Sequence, residues 1–247
     1  MKKDIIESFI EKYNLGGTIE SVKWVSDGAT STLKTSFLSQ EKTAAGVLIL
    51  NNFKMGDAEI GVHDTAKLKS LLSVLGTDID VDLQKHGDKF ISMKISDDST
   101  FVNFMLADLS VIPNSAPAVK KLPDFNLVIP FDKVFSSRFI SSKSALPDVD
   151  VFTILENKKK KLELVLGHSS INSNRITLGI TPETGKDKLP KPISFSAKYL
   201  KEILSANNED DSTESKLYVS SAGLAKISFE SDNFKVDYYL VEVETQD

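Results

Sequence analysis

The sequence predicts an α+β fold built from two tandem domains, each with two short helices packed on antiparallel sheet. Three observations lead there. One pattern occurs twice: Thr65-Ala66-Lys67-Leu68-Lys69-Ser70-Leu71-Leu72 returns as Ser196-Ala197-Lys198-Tyr199-Leu200-Lys201-Glu202-Ile203-Leu204. Lys94-Ile95-Ser96, followed by Phe101 and Phe104-Met105-Leu106, likewise returns as Lys226-Ile227-Ser228, followed by Phe234 and Tyr238-Tyr239-Leu240. Between these segments lie short runs with the two-residue period of half-buried strands. Finally, residues 109–124 carry Pro113, Pro117 and Pro123, which can continue neither a helix nor a central strand. The domains are therefore expected at 1–108 and 125–247, joined by a connector at 109–124.

In the first domain, Ile5, Ile6, Phe9 and Ile10 share one face of a helix over 3–13, which Asn14-Leu15-Gly16-Gly17 ends. Alternating runs at 18–25, 33–38, 47–50 and 59–62, separated by Asp-Gly, Ser/Thr and Asn-Asn breaks, predict antiparallel strands. Asp64 then caps a second helix, in which Leu68, Leu71, Leu72 and Leu75 keep the helical spacing until Gly76. Strands follow at 79–83, 90–95 and 100–107. The second domain repeats this order: a strand at 126–129, a helix at 132–143, strands at 149–155, 162–166, 175–180 and 193–195, a helix at 197–205, then strands at 216–220, 225–229 and 234–243. The acidic, polar stretch 207–215 is expected to be a mobile loop.

Composition bounds the function. With 247 residues, of which 40% are hydrophobic and 26% charged, the chain can bury the cores of two ordinary domains. No run of about 18 apolar residues is present, and the N-terminus turns at once into an amphipathic helix. A soluble, cytoplasmic protein without a membrane partner is expected. The lack of cysteine excludes disulfides, thiolate zinc sites, iron–sulfur clusters and cysteine nucleophiles. A net charge of −5 excludes a uniformly basic coat and leaves local patches open.

That charge is unevenly placed. The four predicted helices hold Lys2, Lys3, Lys12, Lys67, Lys69, Lys133, Arg138, Lys143, Lys198 and Lys201 against Asp4, Glu7, Glu11, Asp132 and Glu202. Helices are thus cationic and sheets anionic. Exposed helix faces often carry lysine for solubility alone, but helices on one side of their sheets would form a positive surface that holds phosphates without reading bases.

Signals for chemistry are weak by comparison. Asp78, Asp80 and Asp82 alternate on one strand face, where a solvated face is the simpler reading than a divalent-metal site. His63, His86 and His168 are scattered, with neither metal nor triad spacing. No phosphate-cradling glycine motif or nucleophile elbow occurs. Lys158-Lys159-Lys160-Lys161 reads as a solvated hairpin turn, with an outer contact to DNA or a partner as its second meaning. No catalytic residue, metal or cofactor is expected.

Two modules joined by a proline-bearing crossover, with cationic helices on an acidic protein, resemble the DNA sliding clamps. The likeness is to the proliferating-cell-nuclear-antigen-like clamps, and more closely to the processivity clamps of T-even-type bacteriophages. It rests on residues 64–109, with Phe101-Val102-Asn103-Phe104-Met105-Leu106-Ala107-Asp108-Leu109 entering the connector, and on residues 216–243.

The resemblance implies a non-enzymatic homotrimer whose clamp-type domains close into a pseudo-six-fold ring around duplex DNA. Such a ring is set in place by a clamp loader and tethers a DNA polymerase, here in viral replication within an infected bacterium. It implies non-sequence-specific DNA contacts at Lys67, Lys69, Lys133, Arg138, Lys143, Lys198 and Lys201. Subunits would join through Thr100, Val102, Phe104 and Leu106 of one edge strand and Arg175, Thr177 and Gly179 of another. Val111, Ile112, Leu122, Tyr239 and Leu240 would wall an apolar partner pocket between the domains. The alternative is a monomeric or dimeric β-rich accessory or virion protein whose repeat is structural only.

Overall fold

The computed structural model describes residues 1–113, 121–168, 174–183, 189–208 and 214–244. Every helix and strand expected from the sequence is present, with ends moved by a few residues. The chain divides into two compact units, one of Met1–Ser39, Gly46–Pro117 and Asp232–Lys235, the other of Gln40–Ala45, Ala118–Ser231 and Val236–Asp247. The 114–120 part of the connector and the 209–213 part of the expected acidic loop lie outside the described residues.

The first unit opens on helix α1 (Lys3–Asn14), which buries Ile6, Phe9, Ile10 and Tyr13. It ends because Leu15 turns left-handed (φ 45°), while Asn14 ties down the exit by donating to the Ile19 carbonyl at 2.8 Å and accepting from Gly17 N–H at 3.0 Å. Strands β1 (Val22–Asp27), β2 (Thr32–Leu38), β3 (Ala44–Leu50) and β4 (Ala58–Val62) follow, ordered β4-β1-β2-β3. Their buried positions alternate, so one face meets the helices. Trp24 of β1 is fully buried edge-to-face against Phe9 and Tyr13, at ring separations of 5.4 and 6.4 Å. This aromatic cluster fastens α1 to the sheet.

Helix α2 (Thr65–Leu72) is capped by Asp64, whose carboxylate accepts the Lys67 N–H at 2.8 Å. Glu20 adds a second cap by accepting from Ala66 N–H at 3.1 Å. The helix stops at Leu72 rather than running to Gly76, and beyond it the Asp97 carboxylate accepts from the backbone N–H groups of Gly76, Ser99 and Thr100. Those three donors, each stabilising the charged form, hold its pKa at about 2. Strands β5 (Asp80–His86), β6 (Lys89–Ser96) and β7 (Phe101–Met105) make a separate sheet ordered β5-β6-β7. Beyond β7, Ala107 N–H bonds to the Gly61 carbonyl at 2.9 Å. A Cβ on Gly61 would stand 2.6 Å from the Ala107 oxygen, so this approach requires glycine.

The second unit repeats the scheme. Strand β8 (Leu127–Pro130) leads to α3 (Lys133–Ala145), capped by Asp132 through the Phe135 N–H. Then come β9 (Val151–Glu156), β10 (Leu162–Leu166), β11 (Ile176–Gly179), β12 (Ile193–Ser196), α4 (Ala197–Ala206), β13 (Glu214–Ser220), β14 (Leu224–Glu230) and β15 (Phe234–Val241). One sheet is ordered β11-β10-β9-β12, and β15-β14-β13-β8 run side by side in the other. Phe139 meets Phe152 edge-to-face and Phe152 meets Phe195 at a tilt, each pair at 5.7 Å, joining α3 to β9 and β12 as the Phe9–Trp24 cluster joins α1 to β1. Asn207, expected to open a mobile loop, is buried and donates to the Ile203 carbonyl and the Tyr238 hydroxyl.

Candidate nucleic-acid interface

Within each unit the two helices pack on each other, α1 with α2 and α3 with α4. Their outward faces hold most of the expected cations. Lys67, Lys133, Arg138 and Lys198 are exposed, and Lys69 and Lys201 are half-buried. Lys69 lies 3.3 Å from Glu11 in an ion pair between α2 and α1, so part of its charge is already answered. Lys198 stands near Glu41, whose pKa is lowered by its own backbone N–H and by the Tyr199 hydroxyl 2.9 Å away, with Lys198 adding to the effect.

Lys143 departs from expectation. It is only 9% exposed, and its ammonium donates to the carbonyls of Leu146 and Pro147, at 3.4 and 2.7 Å. It closes the C-terminal end of α3, where unpaired carbonyls and the helix dipole favour a cation, and offers no charge to an outside ligand. Lys12, similarly, is 8% exposed, bonded to Ser8 and held over the Phe234 ring. Lys2 pairs with Asp78, and Lys3 donates to the Leu75 carbonyl.

A second group of residues escaped the charge count. Ser137 and Ser141 are exposed on α3 beside Lys133 and Arg138, and α3 contains no acidic residue. Its outward face therefore combines two cations with hydroxyls able to donate to anionic oxygens. The signal in the sequence was serine at a four-residue spacing through an acid-free helix.

The two smaller sheets each have two end strands, and β7 and β11, the strands expected to join subunits, are among them. β7 pairs with β6 alone in β5-β6-β7, and β11 pairs with β10 alone in β11-β10-β9-β12, among the described residues. Leu106 N–H donates to the Ile91 carbonyl, and Asp97 N–H to the Thr100 carbonyl. Because ladder bonds alternate, the backbones of Thr100, Val102, Phe104 and Leu106 all face β6. The side chains of Val102 and Phe104 are also buried. The outward backbone groups on this edge belong instead to Phe101, Asn103 and Met105, which corrects the positions expected from sequence. On β11 the Ile180 N–H bonds to the Leu162 carbonyl, which turns the backbones of Thr177 and Gly179 outward. Arg175 is exposed and precedes the strand.

The expected pocket residues fall into two classes. Ile112 and Leu240 are core residues of the first and second unit, 4% and 0% exposed, and do not form a surface. Val111 is 70% exposed, whereas Leu122 and Tyr239 are half-buried, burial raising the Tyr239 pKa. Asp78, Asp80 and Asp82 do not act together: Asp78 precedes β5 and pairs with Lys2, and among the described residues no group of three or more metal-binding side chains assembles. Among the described residues, no helix is long and apolar enough to cross a membrane.

No family model and no curated protein matches this chain. Solved structures do. The proliferating cellular nuclear antigen of Entamoeba histolytica superposes with a TM-score of 0.74 at 15% identity, covering 98% of this chain and 96% of that one. The proliferating cell nuclear antigen (PCNA) of A. fulgidus, in a structure with the C-terminal region of FEN-1 bound, gives 0.74 at 15% identity, covering 100% and 98%. The chain thus has the fold of the PCNA clamps along its whole length.

Proposed function

We propose that this protein is a sliding clamp, a non-enzymatic ring that encircles duplex DNA and tethers a replicative polymerase. The full-length fold likeness carries the reading. The strand edges at β7 and β11 support it further, since a chain with an open edge in each unit can join head to tail with copies of itself until the ring closes. The ring is a homotrimer, giving six similar modules. Lys67, Lys133, Arg138 and Lys198 face the DNA, with Lys69 and Lys201 contributing less. Their contacts are electrostatic and loose, as sliding requires.

The T-even-phage character and the role in viral replication belong to the same proposal, as do loading by an ATP-driven clamp loader and a site in the bacterial cytoplasm. One of the matched structures has a FEN-1 C-terminal region bound to a PCNA. By analogy, Val111 of the first unit and, separately, Leu122 and Tyr239 of the second are positions for polymerase and loader segments to bind. Light scattering and primer extension on circular DNA with loader and polymerase test the proposal. A trimer's mass and longer products are expected; a stable monomer at micromolar concentration, or product lengths indifferent to the protein, would overturn it.

A further inference from the structure

The β9–β10 hairpin ends in four consecutive lysines, Lys158 to Lys161, which the proposed ring does not use. The turn is tightly built. Lys160 N–H bonds to the Asn157 carbonyl and Asn157 N–H to the Lys161 carbonyl, each at 2.9 Å. The Asn157 side chain accepts from Lys159 N–H at 2.8 Å and from Lys161 N–H at 3.1 Å. Lys160 sits at φ 58°, the left-handed position that a bulged hairpin of this kind normally gives to glycine. Lysine thus occupies the position where the backbone favours another residue, and it adds a like charge to three neighbours. The local fold is worse for having it, which points to use of the charge.

That charge is also unanswered. Among the described residues, none of the four ammonium groups is in an ion pair, although the protein as a whole is acidic. Glu163, on the strand that leaves the turn, accepts from the Asn157 side-chain amide and so serves the turn. No large exposed hydrophobic side chain occurs between 151 and 168, so the tip offers charge without an apolar anchor. Lysine ammonium groups are compact point charges without the planar fork that reads a particular carboxylate geometry. Charge alone, on an ordered support, suits a uniform polyanion whose binding is driven by counterion release. A peptide ligand, by contrast, draws most of its affinity from a few anchored side chains.

We propose that Lys158 to Lys161 form a second DNA-binding element that grips the phosphate backbone independently of the helices. Within this unit it stands at the far end of β9 from the start of α4, since Ser196 pairs with Val151 and the turn begins after Glu156. Strand geometry separates those ends by about 17 Å, at roughly 3.3 Å per residue. The proposal rests on the clamp reading only in naming DNA as the polyanion.

The test is fluorescence anisotropy with short linear single-stranded and duplex oligonucleotides, without loader, across a salt series. Replacing all four lysines by glutamine is expected to weaken binding at low salt by about tenfold or more. It should also flatten the plot of log affinity against log salt by about 0.9 per lost duplex contact and 0.7 per single-strand contact. Lys160→Gly is a second variant that relieves the turn, so a stable fold with a slope reduced by about one contact is expected. Unchanged affinity and slope in both variants would overturn the proposal. So would loss of binding to a polyglutamate peptide with DNA binding intact, which would assign the turn to an acidic protein partner. Because linear oligonucleotides need no ring, failure here and failure of circular-template processivity remain separate results.

Discussion

The Leu106 N–H donates to the Ile91 carbonyl at 2.9 Å, and this bond determines which half of β7 is engaged inside its own sheet. It directs the backbones of Val102 and Phe104 inward and leaves Asn103, with its exposed side chain, at the centre of the free edge.

Asn103→Pro therefore removes an outward N–H without costing a β6–β7 ladder bond, a placement proline tolerates on an edge strand. The variant is expected to lose the oligomer in light scattering while its melting temperature stays within a few degrees of the parent. Thr177→Pro on β11 should do the same. Disruption of the fold by either change would mean that the edge is already in use within the chain.

On the helices, charge already paired should matter less than charge left free. Lys67→Met is expected to reduce the salt slope of duplex binding by about 0.9. Lys69→Met should reduce it by less, because Glu11 partly neutralises that lysine. Combining Lys133→Glu with Arg138→Glu should weaken DNA retention further and leave the oligomeric mass unchanged.

Lys143 behaves as a structural residue. Lys143→Met leaves the Leu146 and Pro147 carbonyls without their charged donor and should lower stability by about 1–3 kcal/mol, read as a lower denaturation midpoint. DNA affinity at fixed salt should not change. A selective loss of DNA binding would return this lysine to the interface.

Asp97 gives a pH signature. Its folded pKa of about 2 lies below the ordinary 3.8, because three backbone N–H groups stabilise the carboxylate. A depressed pKa contributes stability that is complete above the unfolded value and is lost as pH falls through the folded one. The stability difference between the parent and Asp97→Asn should accordingly be constant near neutrality and shrink between about pH 4 and pH 2. Urea midpoints across that range measure it.

The fold was legible because hydrophobic period and helix caps agree locally. Asp64 and the alternation along β14 (Leu224–Glu230) each say the same thing in sequence and in space. The site was less legible, for physical reasons. Lys143 and Lys67 are the same residue type in cationic helices, and only the fold of the following turn brings two carbonyls to one of them. The inward backbone of Val102 depends on pairing phase, which side-chain pattern does not encode. The turn after α2 likewise involves Asp97, which is 21 residues from Gly76 in sequence yet accepts its amide N–H in the fold.

Trp24 is the single tryptophan of the chain, and its indole lies wholly within the Phe9–Tyr13 cluster. Selective excitation of that ring therefore gives an optical signal from the first unit alone. A red shift in its emission reports loosening of α1 from β1, and the second unit can be mutated without altering the chromophore.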